Sequence, residues 1–366
     1  MILHCLGSGS QLIHKRSRLS SSSSSDEECL ACIDDSSREV CNISVSDLQE
    51  IHNLEGVYRY GMKCNDLRYT IFVERGAATS VKTNIERNFP KHNFIFEPSD
   101  AKRGHIELAG IHKVGSASIG TLGGLIDVTS ATSPNMRTYA LTCRHVIPIS
   151  KIDEDVYICN SVPGSDEVVM KPIGKLRTYV DAEGRLGHGE RPRKRRQTFD
   201  IAMIEIDPHS SIRSQYRKCT MVPHNTLHCM TGDIKVQKTG CKTGCTFGII
   251  KLKSCSVDFD YIDSYGKEKT VSLHNDIEIA KDLDKNVQGY FADSGDSGAI
   301  IVAENGGPHN HVAIGMFTFY NNEDSDNNNE SRAYAFPIYD ALEHQFSREP
   351  GILGENVKDL YAYVGL

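Results

Sequence analysis

The chain has 366 residues, 39% of them hydrophobic and 24% charged, with a formal net charge of −7 and no tryptophan. That length exceeds one ordinary domain and accommodates two or three core-forming units. The acidic balance argues against a nucleic-acid binder, whose affinity comes from a basic surface, and no apolar run approaches the roughly 20 residues of a membrane span.

Residues 1–44 read as a disordered, serine-rich tail. Ser20 to Ser25 is a serine run followed by Asp26, Glu27 and Glu28, and such a segment cannot bury enough apolar surface to offset its ordering entropy. Cys29 and Cys32 form a lone CxxC there with no second pair, so free thiols are expected rather than a zinc site. The N-terminus lacks a sustained apolar stretch and a small-residue cleavage site. The twelve cysteines are then expected to be mostly reduced, in a cytoplasmic protein. The basic run Arg191 to Arg196, "RPRKRR", reads as a solvated loop tip, with a nuclear address or a processing site as its alternatives.

Residues 45–110 suggest a small α+β accessory module. "RYTIFVE" alternates like a strand, "AATSVKTNIERNF" has helical spacing through Val81, Ile85 and Phe89, and "NFIFEP" is again strand-like. From about residue 111 the texture changes to short β-branched runs separated by Gly, Pro, Asn and Asp. "GTLGGLIDVTS", "TYALTCRHVI", "FDIAMIEID", "CTFGIIKLKS" and "HVAIGMFTFY" are examples. Many short strands with turn signals between them point to an all-β sandwich or barrel. The stretch is long enough for two small barrels, 111–225 and 226–350, divided by the polar, irregular segment near 208–230. "PIYDALEHQF" puts Ile338, Ala341, Leu342 and Gln345 on one helical face, and residues 351–366 read as a C-terminal tail.

"FADSGDSGAII", residues 291–301, repeats Asp-Ser-Gly. A serine hydroxyl is a poor nucleophile at neutral pH. It needs a base within hydrogen-bond reach, a carboxylate to orient that base, and backbone N–H donors aimed at the developing oxyanion. Glycine permits the tight turn that presents such donors. Ser297 has Gly295 two residues before it, Gly298 after it, and an apolar strand beyond. Ser294 lacks the first glycine and the strand, so it is assigned to the wall beside the site.

"GDSGA" followed by an apolar strand resembles the nucleophile turn of the trypsin-like (chymotrypsin-fold) serine proteases, specifically intracellular or microbial members without secretory disulfides. "TYALTCRHVI" resembles the strand that ends in the family's base, and "FDIAMIEI" the segment that opens with its acid. "SIGTLGGLI" and "VQKTGCKTGCTFGII" resemble an opening strand and the first hairpin of the second barrel. The resemblance covers roughly 111–350. It implies two packed six-stranded antiparallel β-barrels, a Ser297–His145–Asp200 triad, and an oxyanion hole from the Gly295 and Ser297 N–H groups. Asp296 would point inward, and Thr318, Phe319 and Tyr320 would pair with substrate backbone. No cofactor or metal is implied; the partner is a protein or peptide substrate, with no nucleic acid and no membrane.

Several positions depart from the family. Phe291 stands where an acid at the pocket floor would select Lys or Arg, and Tyr320 is bulky where many members carry glycine, so the pocket is shallow or blocked. There is no activation sequence of the Arg-Ile-Val-Gly-Gly kind, so a freed N-terminus is not expected beside Asp296. The competing reading is a catalytically silent scaffold that binds protein. A weaker third, an α/β-hydrolase esterase, requires a G-x-S-x-G that Ala299 breaks and a base after the serine, where His311 and His344 lack context.

Overall fold

Turn residues cut the β-branched runs into short pieces, and the result is a mostly β chain with few helices. The computed structural model describes residues 2–4, 43–63, 66, 68–99, 119–130, 133–147, 152–161, 168–180, 199–207, 212, 216–262, 268–285, 290–304, 311–321, 331–348 and 356–362. In chain order its elements are β1 (Ile2–His4), α1 (Val45–His52), β2 (Val57–Lys63), β3 (Tyr69–Glu74), α2 (Ala78–Asn88), β4 (Ile95–Ser99), β5 (Ile119–Thr121), β6 (Gly124–Ser130), β7 (Ser133–Cys143), β8 (Asp155–Ser161), β9 (Val168–Val180), β10 (Ile201–Ile206), β11 (Arg217–Met221), α3 (His224–Cys229), β12 (Lys235–Gly240), β13 (Gly244–Ile262), β14 (Glu268–Lys281), β15 (Ile300–Glu304), β16 (His311–Asn321), β17 (Arg332–Pro337), α4 (Ile338–Arg348) and β18 (Asn356–Ala362). A single 3-10 turn, Arg144–Val146, follows β7.

Six strands close on themselves in the order β12–β13–β14–β17–β16–β15 and back to β12, every pairing antiparallel. Period-two alternation sends one set of side chains to a common cluster: Ile277 and Ile279, Ile301 and Ala303, Val312 and Ile314, Ala333 and Ala335. The other face of β15, Ile300 and Val302, packs into a second cluster with Leu125, Leu141, Ile204 and Met316. β15 is therefore buried on both faces, with Ile300, Ile301 and Val302 each at most 2% exposed. Roughly 1.5–3 kcal/mol of burial per side chain anchors the strand that the "GDSG" turn launches.

The remaining strands of the first half do not form a matching six-stranded barrel. Their pairings run β5–β1–β8–β9–β10–β7–β6–β18–β11 and do not close among the described residues. Three expectations change here. Ile2–His4, placed by sequence in a structureless tail, forms a parallel strand between β5 and β8, where it satisfies backbone groups that two short edges would otherwise leave unpaired. Residues 356–362, read as tail, form β18 between β6 and β11, with Leu360 and Ala362 buried. The segment expected to be irregular, near 208–230, carries β11 and α3. Residues 191–196, 29 and 32 lie outside the described residues.

Residues 43–99 pack a cluster of their own, including Leu48, Ile51, Ile71, Val81 and Ile85. β2 pairs antiparallel with β3, and β4 runs parallel to β3 after the α2 crossover. β2 also pairs with β13, so this unit continues the sheet of the closed barrel. Glu278, 1% exposed, seals the seam by bonding Arg59 at 2.9 Å and Arg332 at 3.2 Å. α4 buries Ile338, Ala341, Leu342, Gln345 and Phe346.

Candidate active site

β7 and β10 pair antiparallel with Cys143 opposite Ile201. This register puts the residues just after β7 beside the residue just before β10. Arg144 N donates to Asp200 O at 3.1 Å. His145 N donates to Asp200 Oδ1 at 3.1 Å, and Nδ1 bonds Oδ2 of the same carboxylate. That tautomer leaves Nε2 as the acceptor. His145 Nε2 is buried and has no hydrogen-bond partner among the described residues. One face of the ring stacks on Phe319, with centroids 5.7 Å apart and 16° between planes.

Ser297 sits on the turn between residue 293 and β15. Asp296 N donates to Asp293 O, Ala299 N to Asp296 O, both at 3.0 Å, and Gly298 N to Phe317 O at 2.9 Å. Gly295 has φ +101° and Gly298 +99°, values that only glycine adopts without strain. A Cβ on Gly298 would lie 2.3 Å from Thr121 O. The Ser297 hydroxyl is buried and donates to Thr318 O at 3.2 Å. His145 and Ser297 thus meet adjacent residues of β16, Phe319 and Thr318.

Asp296 is fully buried beneath this turn. Its carboxylate accepts from Lys238 Nζ at 2.8 Å, Thr243 Oγ1 at 2.7 Å, and the backbone N–H groups of Lys242, Thr243 and Asp293 at 2.9–3.1 Å. Burial pulls the Lys238 ammonium below the usual lysine range, and the Asp296 charge opposes that shift. Sequence reasoning missed Lys238 and Thr243. The available signal was the alternation of β12, which puts Lys238 on the same face as the apolar Val236 and opposite to Lys235.

The pocket positions are accounted for individually. Phe291 is 1% exposed, and Thr246 Oγ1 donates to its carbonyl at 2.6 Å. The Lys238 ammonium lies 5.5 Å from its ring centroid. Tyr320 is buried, and its Oη donates to Asp293 Oδ1 at 3.2 Å. Ser294 is exposed on the turn, its N–H bonded to the Asp293 carboxylate at 2.7 Å. Thr318 and Phe319 are buried. β16 pairs with β17 as far as Asn321; on its other edge the β15 pairing reaches Met316, and Phe317 N donates to Ala299 O at 2.8 Å.

No protein-family model matches the sequence, and no curated protein matches it. Among solved structures, the chain is similar to a glutamic-acid-specific serine protease that uses a histidine triad in substrate binding, at 14% identity and TM-score 0.33, over 61% of this chain and 95% of that one. It is also similar to Thermobifida fusca protease A, at 13% identity and TM-score 0.32, over 63% of this chain and 96% of the other. A third is Cellulomonas bogoriensis chymotrypsin, at 14% identity and TM-score 0.31, over 66% of this chain and 96% of the other.

A metal could in principle draw on Cys143, His145 and Asp200, whose ligand atoms lie within 4.8 Å of one another. The chemistry of the set opposes this. Burial, and then the Asp200 charge, push the Cys143 thiol well above its ordinary value, and Sγ donates to Phe317 O at 3.2 Å. The imidazole and the carboxylate already satisfy each other. The described cysteines Cys143, Cys219, Cys229, Cys241, Cys245 and Cys255 are all free thiols.

Proposed function

We infer that this chain is a serine endopeptidase of the trypsin-like kind, acting through a covalent acyl-enzyme. The observation that carries the reading is the orientation of His145. Its Nδ1 is committed to a buried carboxylate, and its Nε2 is an unpartnered acceptor on the strand residue next to the one that holds the Ser297 hydroxyl. Catalytic hydrogen bonds are often unmade before substrate arrives, and rotation about the Ser297 side chain transfers its donor from Thr318 O to Nε2.

In this reading Ser297 Oγ attacks the scissile carbonyl as Nε2 takes its proton, and Asp200 stabilises the imidazolium. The N–H groups of Gly295 and Ser297 receive the oxyanion. Nε2 then protonates the leaving amine, and water repeats the sequence to release the acyl group. The Thr318–Tyr320 stretch of β16 aligns the peptide as an added strand. Phe291 and Tyr320 fill the space for the residue before the scissile bond, so small side chains are preferred there. The substrate is a protein or peptide in the cytoplasm, and residues 45–110 act as an accessory unit.

One observation favours a silent binding scaffold instead: the hydroxyl is bonded to Thr318 O, and Tyr320 is tethered across the pocket to Asp293. Labelling with a fluorophosphonate probe decides between them. The enzyme reading expects labelling of wild type and Ser294→Ala and none of Ser297→Ala; a wild type that never labels sinks it.

A further inference from the structure

Thr121, the last residue of β5, is 3% exposed and makes four polar contacts. Its N–H donates to the Ser297 carbonyl at 2.9 Å. Its hydroxyl donates to the Gly295 carbonyl at 3.0 Å and accepts from Cys241 N at 2.9 Å. Its own carbonyl accepts from Thr142 Oγ1 at 2.8 Å. The Gly295 carbonyl has a second donor in Cys241 Sγ, at 2.8 Å. Burial pushes the Cys241 thiol up to about 11, so it keeps the proton that it donates.

The two carbonyls held in this way belong to Gly295 and Ser297, the residues whose N–H groups receive the oxyanion in the reading above. Gly295, at φ +101°, has the widest conformational freedom in the turn. A donor fixed on its carbonyl removes that freedom, and a donor fixed on the Ser297 carbonyl does the same for the nucleophile. Both donors come from one residue on a strand outside the closed barrel. Cys241 adds a third from the β12–β13 hairpin.

We propose that Thr121, with Cys241 as second donor, is the positioning residue of the oxyanion-binding turn, clamping the carbonyls of Gly295 and Ser297 so that the N–H groups of the same residues stay aimed at one point. This rests on the endopeptidase reading. The test uses the full chain. Thr121→Val keeps the shape and loses the hydroxyl; Thr121→Ser keeps the hydroxyl. Thr121→Val is expected to slow fluorophosphonate labelling and kcat on a peptide substrate about 10- to 100-fold at unchanged KM. Amide exchange across residues 293–298 should accelerate in the same variant, and Thr121→Ser should restore both readouts. Cys241→Ala shifts both in the same direction by less, and Cys241→Ser reverses it. If Thr121→Val melts well below wild type, the two Cys241 variants carry the comparison. Wild-type labelling and exchange in Thr121→Val overturn the proposal, as does equal loss in Thr121→Ser, which would make the role one of packing. A wild type that does not label overturns the endopeptidase reading, and the exchange data then decide alone whether Thr121 holds the turn.

Discussion

Two ion pairs flank Ser297, and they are built in opposite ways. In the first, the His145 side chain is 17% exposed and the Asp200 side chain 4%. In the second, Lys238 and Asp296 are both 0% exposed, and the carboxylate takes four further donors. The first pair leaves one ring nitrogen, His145 Nε2, without a hydrogen-bond partner among the described residues. The second gives both carboxylate oxygens of Asp296 protein donors, five in all, and so holds the turn in shape. Under the endopeptidase reading proposed above, the first pair serves the reaction and the second keeps its geometry.

The largest effect falls on the first pair. His145→Ala and Asp200→Asn are each expected to lower kcat by about 10⁴-fold, because the base is removed or held in the wrong tautomer. Combining His145→Ala with Ser297→Ala should cost little beyond either alone, since the two act as a unit. Thermal melting should move little in either single variant. Peptide hydrolysis and melting curves on the same preparations check both statements, and a large drop in melting temperature with activity retained would reverse the roles assigned to the two pairs.

The second pair should respond first in stability. Lys238→Met strands the Asp296 carboxylate beneath the turn, which costs about 3–5 kcal/mol. Adding Asp296→Asn removes the buried charge and should recover a large part of that loss, measured by denaturant unfolding. Activity falls in both variants, because the turn that carries Gly295 and Ser297 loses its floor. A Lys238→Met protein as stable as wild type would mean that the pair is dispensable.

The contrast also separates what the sequence could reveal from what it could not. The β-rich texture is legible because short apolar runs such as Ile300 to Ala303 are bounded in the sequence by residues such as Gly298 and Asn305. The ends of β7 and β10 stand out because His145 and Asp200 each border an unbroken apolar run. Lys238 was not legible, because a buried lysine in a strand looks like a solvent-facing one until its partner is known, and Asp296 lies 58 residues away. β1 and β18 were missed for a related reason: each is a short strand at a chain end whose stability comes from distant neighbours rather than from its own pattern. The direction of the Ser297 hydroxyl is a rotamer choice that no sequence pattern encodes.

A third pair sharpens the comparison by having no carboxylate. His224 and His228, in α3, have ring centroids 4.5 Å apart, and Nε2 of each is buried without a hydrogen-bond partner. Burial, then the His228 charge, lower His224 to about 3; burial, then the Lys253 charge, lower His228 to about 4. Both values are below those of the unfolded chain, so between about pH 6.5 and 3 the unfolded state binds more protons and stability falls as pH falls. Unfolding at pH 4 against pH 7.5 should show a loss on the order of 2–3 kcal/mol from each, at about 1.4 kcal/mol per pH unit. His228→Gln should flatten that slope. An unchanged slope in His228→Gln would place the acid sensitivity elsewhere.

The smallest effect concerns what the site accepts rather than whether it works. Tyr320 belongs to the barrel cluster with Phe291 and is tethered by its hydroxyl to Asp293. Two changes separate the ring from the tether. Tyr320→Phe removes one hydrogen bond at the turn, worth about 0.5–1.5 kcal/mol, and leaves the volume filled, so preference should hold. Tyr320→Gly empties the wall, and a pocket gains roughly 1–3 kcal/mol for each added methylene it can accept. Peptides with Leu or Phe before the scissile bond should then gain at least about 10-fold in kcat/KM relative to the Ala peptide. Equal ratios in Tyr320→Gly and wild type would mean that Phe291 alone closes the floor, and Phe291→Ala would become the variant that widens specificity.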